Sequence, residues 1–376
     1  MNSLNDKYSQ YDVIIIGAGI NGCGIAKEFS IRGKKVLVLE KNTIASGTSS
    51  KSSRLIHGGL RYLETFQFGL VREALLDRQQ LLIEYPNLIK MKPFYLPIYK
   101  TSPRSALIVW LGLKLYDILA GKHRHFHSKI ISRKEFCKKT TVLKQSELTA
   151  VFRYYDAKTN DRKLTQNVAE DAKKMGCKFI ENSEIISIQQ DNKIITINTK
   201  QNEFTSKVLI NATGPWIDEV NKKYHLFAHY HIRKISGIHI VIDGILVPDC
   251  MFMQTERKQI FFIIPEIENN QTIIGTTERE ESSLCDEIKV SEEDVQYLIS
   301  HLNFYLQPQH KISRHEIKKT FIGIRPLIAN KKNLTDLTRE YRFDLIQKKK
   351  TKLLHIFGGK LTTHPSLAQK VIKILK

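Results

Sequence analysis

The stretch YDVIIIGAGINGCGIAKEFSIRGKKVLVLEK, residues 11–41, decides the fold. Its apolar run Val13 to Ile16 predicts a strand buried on both faces, and the motif Gly17-x-Gly19-x-x-Gly22 follows directly. Gly17 permits a tight turn, Gly19 lets a pyrophosphate approach the backbone, and Gly22 lets the next helix pack closely. This order of strand, glycine-rich turn and helix is typical of dinucleotide-binding sites.

The second half of the stretch completes the same unit. Ile25 to Ile31 predicts a helix, Gly33 ends it, and Val36 to Leu39 predicts the second strand. Glu40 stands at the end of that strand, where a carboxylate accepts hydrogen bonds from ribose hydroxyls. The same carboxylate would repel the 2′-phosphate of NADP, so NAD and FAD remain as candidate ligands.

A serine-rich loop helps to decide between NAD and FAD. The chain continues with NTIASGTSSKSSRLIHGG, residues 42–59, where an NAD-binding protein would usually continue with regular strand–helix units. Hydroxyl and backbone N–H groups in such a loop suit an extended cofactor that lies across the sheet. The loop therefore favours FAD.

Two later turns also favour FAD. In KVLINATGPWIDEV, residues 207–220, a predicted strand ends in small residues that permit close backbone approach. In LLHIFGGKLTTHPSLAQKVIKIL, residues 353–375, a predicted strand leads through Gly358 and Gly359 into a helix. The positive end of that helix, with Lys360 nearby, can stabilise negative charge on a reduced flavin.

Six segments in this order, IIGAGINGCGIA, TSSKSSRLIHGGLRYLE, NATGPW, IIGTT, GIRPL and FGGKLTT, resemble the FAD-dependent glycerol-3-phosphate dehydrogenase family. The resemblance runs from about Tyr11 to the C-terminus. It implies FAD as cofactor and oxidation of glycerol 3-phosphate to dihydroxyacetone phosphate, by hydride transfer from C2 to flavin N5. It also implies that the electrons pass to quinone, and that the protein is cytoplasmic and peripheral on the inner face of the membrane.

The resemblance further implies an α/β plus α+β fold, in which a Rossmann-like FAD-binding domain is interleaved with an antiparallel-sheet substrate domain. The FAD-binding domain is of the glutathione-reductase or D-amino-acid-oxidase type. From the spacing of the motifs, we expect it to comprise residues 11–80, 152–222 and 335–376, and the substrate domain to comprise 81–151 and 223–334. Alternating stretches such as IHIVI, QIFFIIPE and TIIGTT predict antiparallel strands. SEEDVQYLISHLNFYL predicts a helix capped by Ser291.

Carried over position by position, the motifs also assign site residues. Cofactor contacts are implied for Gly17, Gly19, Ile20, Asn21, Gly22, Glu40, Lys41, Thr48, Ser49, Ser50, Ser53, His57, Gly58, Gly59, Ala212, Thr213, Gly214, Gly358, Gly359, Lys360, Leu361 and Thr362. Substrate contacts are implied for Arg61, Tyr62, His239, Arg325, Arg339 and Lys360. No metal is expected.

The substrate residues have different expected roles. The planar guanidinium groups of Arg61 and Arg339 suit the phosphate, because each can bind two oxygens. Arg325 and Lys360 are expected nearer the flavin and the reacting carbon, where positive charge favours a developing alkoxide. His239 is the first candidate for the general base and His57 the second, since a neutral imidazole accepts the hydroxyl proton near pH 7.

Three departures from the family pattern keep other functions open. Bacterial members usually continue into a helical C-terminal domain, whereas this sequence stops at Lys376; His364 and Pro365 replace a tyrosine and an arginine, and Glu278 replaces an aspartate. The alternatives are an oxygen-using glycerol-3-phosphate oxidase, a flavoenzyme for an amine or 2-hydroxy acid, and a silent flavin- or membrane-binding remnant. A homodimer also stays open.

Composition limits the partners. The 376 residues contain 59 Lys and Arg against 38 Asp and Glu, a formal net charge of +21. No nucleic-acid-binding signature accompanies this charge, so a phosphorylated substrate and an anionic membrane surface are the expected partners. The five cysteines are widely spaced, which disfavours a zinc site or a disulfide framework and favours a reduced, cytoplasmic setting. We expect neither a signal peptide nor a membrane span.

One segment can be interpreted in two ways. SALIVWLGLKLYDILAGKHRHFH, residues 105–127, combines an apolar stretch with a basic, histidine-rich tail. It predicts either an interfacial helix at a membrane surface or a buried helix followed by a solvated tail.

Overall fold

The computed structural model describes residues 8–121, 126–329 and 340–376. Its strands form two large sheets, and its α-helices pack on them. In chain order the strands are β1 (Tyr8–Ile16), β2 (Val36–Leu39), β3 (Leu55–Ile56), β4 (Lys90–Tyr99), β5 (Lys129–Ile130), β6 (Leu148–Lys158), β7 (Lys178–Ile180), β8 (Ile185–Gln190), β9 (Ile195–Thr199), β10 (Glu203–Asn211), β11 (Ile232–Asp243), β12 (Cys250–Gln254), β13 (Ile260–Glu266), β14 (Gln271–Gly275), β15 (Arg279–Glu281), β16 (Ile317–Ile328), β17 (Arg342–Lys348) and β18 (Thr351–Phe357). The helices are α1 (Ile20–Ile31), α2 (Phe68–Glu84), α3 (Ala106–Leu119), α4 (Arg133–Lys139), α5 (Asp161–Lys174), α6 (Ile217–Lys223), α7 (Glu292–Tyr305) and α8 (His364–Leu375).

The first sheet has the order β17-β18-β10-β1-β2-β7, with the β8–β9 hairpin attached to β10. Strands β18, β10, β1, β2 and β7 run parallel, so their carboxyl ends lie at one edge. Helices α5 and α8 both pack against α1 over this sheet. The two strands predicted around the glycine motif are confirmed. The helix between them begins at Ile20, earlier than predicted, because its first turn contains glycines that mask the helical pattern.

The second sheet has the order β15-β11-β14-β13-β12-β4-β6-β3, with β16 paired to β11 and β5 to β6. The three predicted antiparallel strands are confirmed as β11, β13 and β14. Helix α7 is confirmed too, and the hydroxyl of Ser291 accepts the Asp294 N–H at 3.2 Å, as expected of an N-cap.

Three of the four predicted segment boundaries fall within regular elements, and the fourth, at 334/335, lies outside the described residues. The boundary at 80/81 lies inside α2, and the boundary at 151/152 lies inside β6, which pairs along its length in the second sheet. Residues 335–339 of the last predicted segment lie outside the described residues. The division into two interleaved domains therefore stays a proposal. Strand β3 and most of β6 belong to the predicted FAD-binding segments but pair in the second sheet.

Helix α3 has two different faces. It begins after Ser105, and Val109, Leu113 and Tyr116 are buried on its inner face. The outer face exposes the large apolar side chains Leu107, Ile108, Leu111 and Ile118. One face of α3 thus packs like a core helix and the other meets solvent, and residues 122–125 of the basic tail lie outside the described residues. Among the helices described, none combines the length and apolarity needed to cross a membrane.

Candidate functional site

A cavity of about 470 Å³ lies at the carboxyl edge of the first sheet, against the second sheet. It is lined by loops that follow β1, β2 and β10, by the turn after β18, and by side chains of β11 and β16. The predicted cofactor residues among its lining are Gly17, Gly19, Ile20, Asn21, Glu40, Lys41, Thr48, Ser49, Ser53, His57, Ala212, Thr213, Gly214, Gly358, Gly359, Lys360, Leu361 and Thr362. The predicted substrate residues among its lining are Tyr62, His239, Arg325 and Lys360.

The glycine-rich turn brings three elements into close contact. Gly17 has φ +100°, and a Cβ there would lie 2.7 Å from the carbonyl oxygen of Ala212 at the end of β10. A Cβ on Gly22 would lie 2.0 Å from the carbonyl oxygen of Gly17, closer than any real Cβ contact. Glycine at both positions therefore lets the turn, β10 and α1 meet at the edge of the cavity.

Hydrogen bonds fix the wall on either side of this turn. The N–H of Ile20 donates to the Ser49 hydroxyl at 2.9 Å, which ties the serine-rich loop to α1. The carboxylate of Glu40 accepts the Ala18 N–H at 2.7 Å and the Asn42 N–H at 2.9 Å, one on each oxygen. A carboxylate has about four acceptor sites, so Glu40 is held in place and can still accept ligand hydroxyls.

The turn after β18 closes the opposite wall. Gly358 and Gly359 have φ +80° and +97°, backbone conformations that residues with a side chain rarely adopt. Asn21 donates its amide N–H to the Gly358 carbonyl at 3.2 Å, and the His57 N–H donates to the Thr362 hydroxyl at 3.1 Å. The carbonyl oxygen of the Asn21 side chain is buried and, within the described part of the chain, has no hydrogen-bond partner. This orphaned acceptor lies in the wall of the cavity.

His239 lies deep in the same cavity and is only 1% exposed. Its Nε2 is 2.9 Å from the Ser53 hydroxyl, and its ring stacks on Phe321 with centroids 4.6 Å apart and planes 9° apart. Burial, followed by the charges of Arg325 and Arg54, lowers the pKa of His239 to about 3. The imidazole is therefore neutral at pH 7, and the protein opposes its full protonation.

Cationic side chains line the same cavity as His239. Arg325 donates from Nη2 to the Thr276 hydroxyl at 3.0 Å and lines the cavity from β16. The ammonium group of Lys360 lies 3.8 Å from the centroid of the Tyr62 ring, in cation–π geometry. Arg325, Lys360 and Tyr62 thus place positive charge and a phenol at the end of the cavity that adjoins the turn after β18.

Arg61 does not line the cavity. Its guanidinium Nη1 lies 3.2 and 3.4 Å from the two carboxylate oxygens of Glu278. The side chains of this pair are 18% and 9% exposed. Arg339, the second expected phosphate ligand, lies outside the described residues.

Four of the expected cofactor residues lie behind the cavity wall. Gly22 packs against the first turn, as described above, and the Ser50 hydroxyl donates to the Gly47 carbonyl at 3.2 Å. The Gly58 N–H donates to the Tyr116 hydroxyl at 2.8 Å, which links this loop to α3. Gly59 has φ +77°, and the ring of Tyr62 fills the space that a Cβ there would occupy.

The sequence motifs assigned Lys41 but not Trp216 and Asp286, which lie beside it at the edge of the cavity. The indole N–H of Trp216 donates to Asp286 at 3.1 Å, and Asp286 pairs with Lys41 at 2.9 Å. The Lys41 hydrogen bond lowers the pKa of Asp286. Trp216 belongs to the quoted segment NATGPW, so the motif itself indicates that this residue lies near the site. Asp286 lies in a loop without a motif, and its contact could not be read from local sequence.

His364, one of the departures from the family motif, is buried beneath α1. A Cβ on Gly24 would lie 2.9 Å from its ring, and its Nδ1 is 2.9 Å from the Leu361 carbonyl oxygen. Burial lowers the pKa of His364 to about 4. Its environment is thus the packed interface between α1 and α8.

Comparison with known proteins identifies the family. A family model described as FAD dependent oxidoreductase matches residues 12–372. The chain belongs to this family. It is 35% identical over 371 residues to a glycerol-3-phosphate dehydrogenase of Pseudomonas tolaasii, with 96% of this chain and 71% of the relative covered. It is 33% identical over 374 residues to a D-erythritol 1-phosphate dehydrogenase of Brucella abortus (strain 2308), with 97% and 73% covered. The resemblance drawn from the motifs is thereby confirmed.

Solved structures share the fold. The glycerol-3-phosphate dehydrogenase of Bacillus halodurans, complexed with FAD, has a TM-score of 0.74 at 23% identity. That match covers 97% of this chain and 64% of the other, so the chain spans less than two thirds of that protein. The L-α-glycerophosphate oxidase of Mycoplasma pneumoniae, with FAD bound, has a TM-score of 0.77 at 18% identity, covering 98% and 95%. The expected fold class is confirmed.

FAD is therefore the cofactor, and the residues present fit it. The cavity runs from Glu40 past the glycine-rich turn to the turn after β18, as an extended dinucleotide requires. The glycines at 17 and 359 let the two turns that form the cavity wall pack directly against Ala212 and Asn21. The buried Asn21 oxygen offers an acceptor for a ligand N–H group.

Proposed function

We propose that this protein oxidises sn-glycerol 3-phosphate to dihydroxyacetone phosphate and passes the electrons to a membrane quinone. The observation that supports the proposal most strongly is the continuity of the cavity. The glycine-rich cofactor wall leads directly to His239, Arg325, Tyr62 and Lys360. The relatives named glycerol-3-phosphate dehydrogenase add support, since they match nearly the whole chain.

Oxidation of the secondary alcohol requires that C2 lose a hydride and its hydroxyl lose a proton. Bound FAD supplies the acceptor for the hydride, at flavin N5. The protein side chains bind the phosphate, orient C2 and receive the proton. Arg325 and Lys360 place positive charge where the alkoxide develops, which favours the transition state over the bound alcohol.

His239 remains our first choice for the base, with His57 second. Because His239 is neutral, it can accept a proton, although a pKa of about 3 makes it a weak base in the ligand-free protein. A substrate dianion bound beside Arg325 offsets one of the charges that lower this pKa. Substrate binding is therefore expected to strengthen the base just when it is needed.

The direct test is anaerobic mixing of the FAD-loaded protein with glycerol 3-phosphate, while the visible absorption of the flavin is followed. Glycerol and alanine are the controls for the phosphate and for an amino acid substrate. Bleaching by glycerol 3-phosphate alone is expected, and addition of quinone or oxygen to the reduced protein then identifies the acceptor. If a protein that binds FAD is bleached by none of these compounds, the proposal fails and the silent remnant gains support.

A matched pair of variants locates the chemistry. Arg325→Gln should slow flavin reduction about 10²- to 10³-fold, the usual loss when one charged donor to a developing oxyanion is removed. Arg314→Gln removes an arginine of an exposed pair with Glu292 and should reduce flavin at the wild-type rate. Equal rates for the two variants would place the reacting carbon away from Arg325.

A second substrate has specific support. One relative, 33% identical over 97% of this chain, is a D-erythritol 1-phosphate dehydrogenase. Erythritol 1-phosphate has the same phosphate and a longer polyol chain, so the cationic end of the cavity suits both compounds. A comparison of kcat/KM for the two in the same anaerobic assay decides between them.

We further propose that the protein binds the inner face of the cytoplasmic membrane through α3. Leu107, Ile108 and Leu111 on its outer face are each more than half exposed, and Phe66, in the loop that leads to α2, is 78% exposed. An apolar surface on a strongly basic protein suits the boundary between acyl chains and anionic headgroups.

Sedimentation with vesicles tests this surface. We expect binding to vesicles that contain phosphatidylglycerol, weakened by salt, and little binding to phosphatidylcholine alone. Leu111→Glu should reduce the bound fraction, whereas Ile267→Glu, a change at an equally exposed position after β13, should not. Equal binding of the two variants would contradict the assignment to α3.

A further inference from the structure

Glu278 lies between two arginines of the expected substrate site. It follows β14, and its carboxylate oxygens lie 3.2 and 3.4 Å from Arg61 and 3.8 Å from Arg325 at the nearest. Its side chain is 9% exposed, so water screens these pairs weakly. A carboxylate thus occupies the position between two guanidinium groups, which is where an anionic ligand would bind.

The pairing also determines which way Arg61 faces. Arg325 lines the cavity, whereas Arg61 lies behind its wall against Glu278. Together the three side chains carry one formal positive charge. An anion that enters the cavity can recruit Arg61 only if it replaces Glu278 as the partner of that guanidinium.

We propose that Glu278 is a specificity-determining residue that occupies the phosphate-binding Arg61, beside Arg325, until a phosphate dianion replaces it. The proposal rests on the proposed function, since it concerns the phosphate end of that substrate. A phosphate dianion puts two negative charges beside the arginine in place of the single charge of Glu278, so the electrostatic attraction becomes stronger. A substrate monocarboxylate exchanges one carboxylate for another and gains none, so Glu278 selects phosphomonoesters against carboxylates.

The length of the side chain matters for this role. One methylene fewer would withdraw the carboxylate by roughly 1.5 Å, about the length of one C–C bond. The 3.2 Å contact with Arg61 would then exceed hydrogen-bond distance.

Calorimetric titration of the FAD-loaded protein with inorganic phosphate, and separately with acetate, tests the proposal. Glu278→Gln should bind phosphate about 10-fold more tightly than wild type, because no internal anion competes, and should begin to bind acetate. Its KM for glycerol 3-phosphate should fall by a similar factor. Glu280→Gln is the control: it removes a neighbouring carboxylate that pairs with Arg233 at the surface, and should match wild type.

Unchanged or weaker phosphate binding by Glu278→Gln would overturn the proposal, because Glu278 would then only position Arg61. If that variant does not fold, Glu278→Asp replaces it, and it too should bind phosphate more tightly than wild type. The calorimetry needs no turnover. A tenfold difference in a protein that glycerol 3-phosphate fails to reduce would therefore refute the proposed function and leave this inference standing.

Discussion

Replacement of Gly22 by alanine tests the cofactor wall most sharply. The new Cβ would lie 2.0 Å from the Gly17 carbonyl oxygen, roughly 1 Å or more inside normal contact. Gly17 has little room to retreat, because its own Cα hydrogens face the Ala212 carbonyl. Helix α1 must therefore move away from the turn, and overpacking of this kind costs about 1–3 kcal/mol.

Part of this loss is offset, because alanine favours a helix by up to about 1 kcal/mol over glycine. We expect Gly22→Ala to lower the free energy of unfolding by about 1–2 kcal/mol and to weaken FAD binding, since α1 and the turn form the cavity wall. Thermal unfolding without FAD and fluorescence titration with FAD measure the two effects separately.

The control is Gly112→Ala in α3, where an added Cβ meets no atom within 4 Å. The same chemical change should there raise stability by about 0.5–1 kcal/mol, with FAD binding unchanged. If Gly22→Ala unfolds at or above the wild-type temperature and binds FAD equally well, the close packing of this turn does not have the role described.

Three further predictions concern buried polar groups. Burial raises the pKa of Asp77 to about 7, so between pH 4 and 7 the folded protein binds more protons than the unfolded chain. The free energy of unfolding should therefore fall as pH rises through this range, by up to about 4 kcal/mol. Denaturant unfolding of Asp77→Asn should not show this pH dependence, whereas Asp161→Asn, at another buried aspartate, should retain it. Burial lowers the pKa of His364 to about 4, so stability should fall as pH drops from 6.5 to 4, and His364→Asn should lose that acid sensitivity in the same assay. Tyr116→Phe removes the hydroxyl that accepts the Gly58 N–H and should lower the free energy of unfolding by about 1–3 kcal/mol; an unchanged value would mean that water replaces the hydroxyl.

Local patterns sufficed for the parts of the fold in which neighbouring residues act together. The strand, turn, helix and strand of residues 11–41 follow from apolar runs and glycine spacing, because each element is decided within a few residues. The cap of α7 at Ser291 is a local signal of the same kind. The place of β6 in the second sheet could not be read from local sequence, because it depends on pairing with β4, a contact between distant residues.

In the functional site too, local motifs predict some features, and contacts between distant residues decide the others. Motifs suggested which residues lie near the cofactor, and most of those residues line one cavity. The contact between Arg61 and Glu278 joins residues 217 positions apart, and neither side chain signals its partner. The depth at which His239 is buried is equally invisible in the sequence, because it depends on the stacking of Phe321 from a neighbouring strand. Side-chain pairing across the fold therefore required the structure.

The contact between Asn21 and Gly358 has a consequence for how the protein is made. It joins residues 337 positions apart, and β18 pairs with β10 inside the first sheet. During synthesis, an N-terminal portion that has already left the ribosome exposes the edge of β10 until β18 emerges. The cofactor site is complete only when residues 358–362 are in place. Nascent chains should thus depend on chaperones at least until residues 358–362 have emerged, and FAD can be captured only after that point.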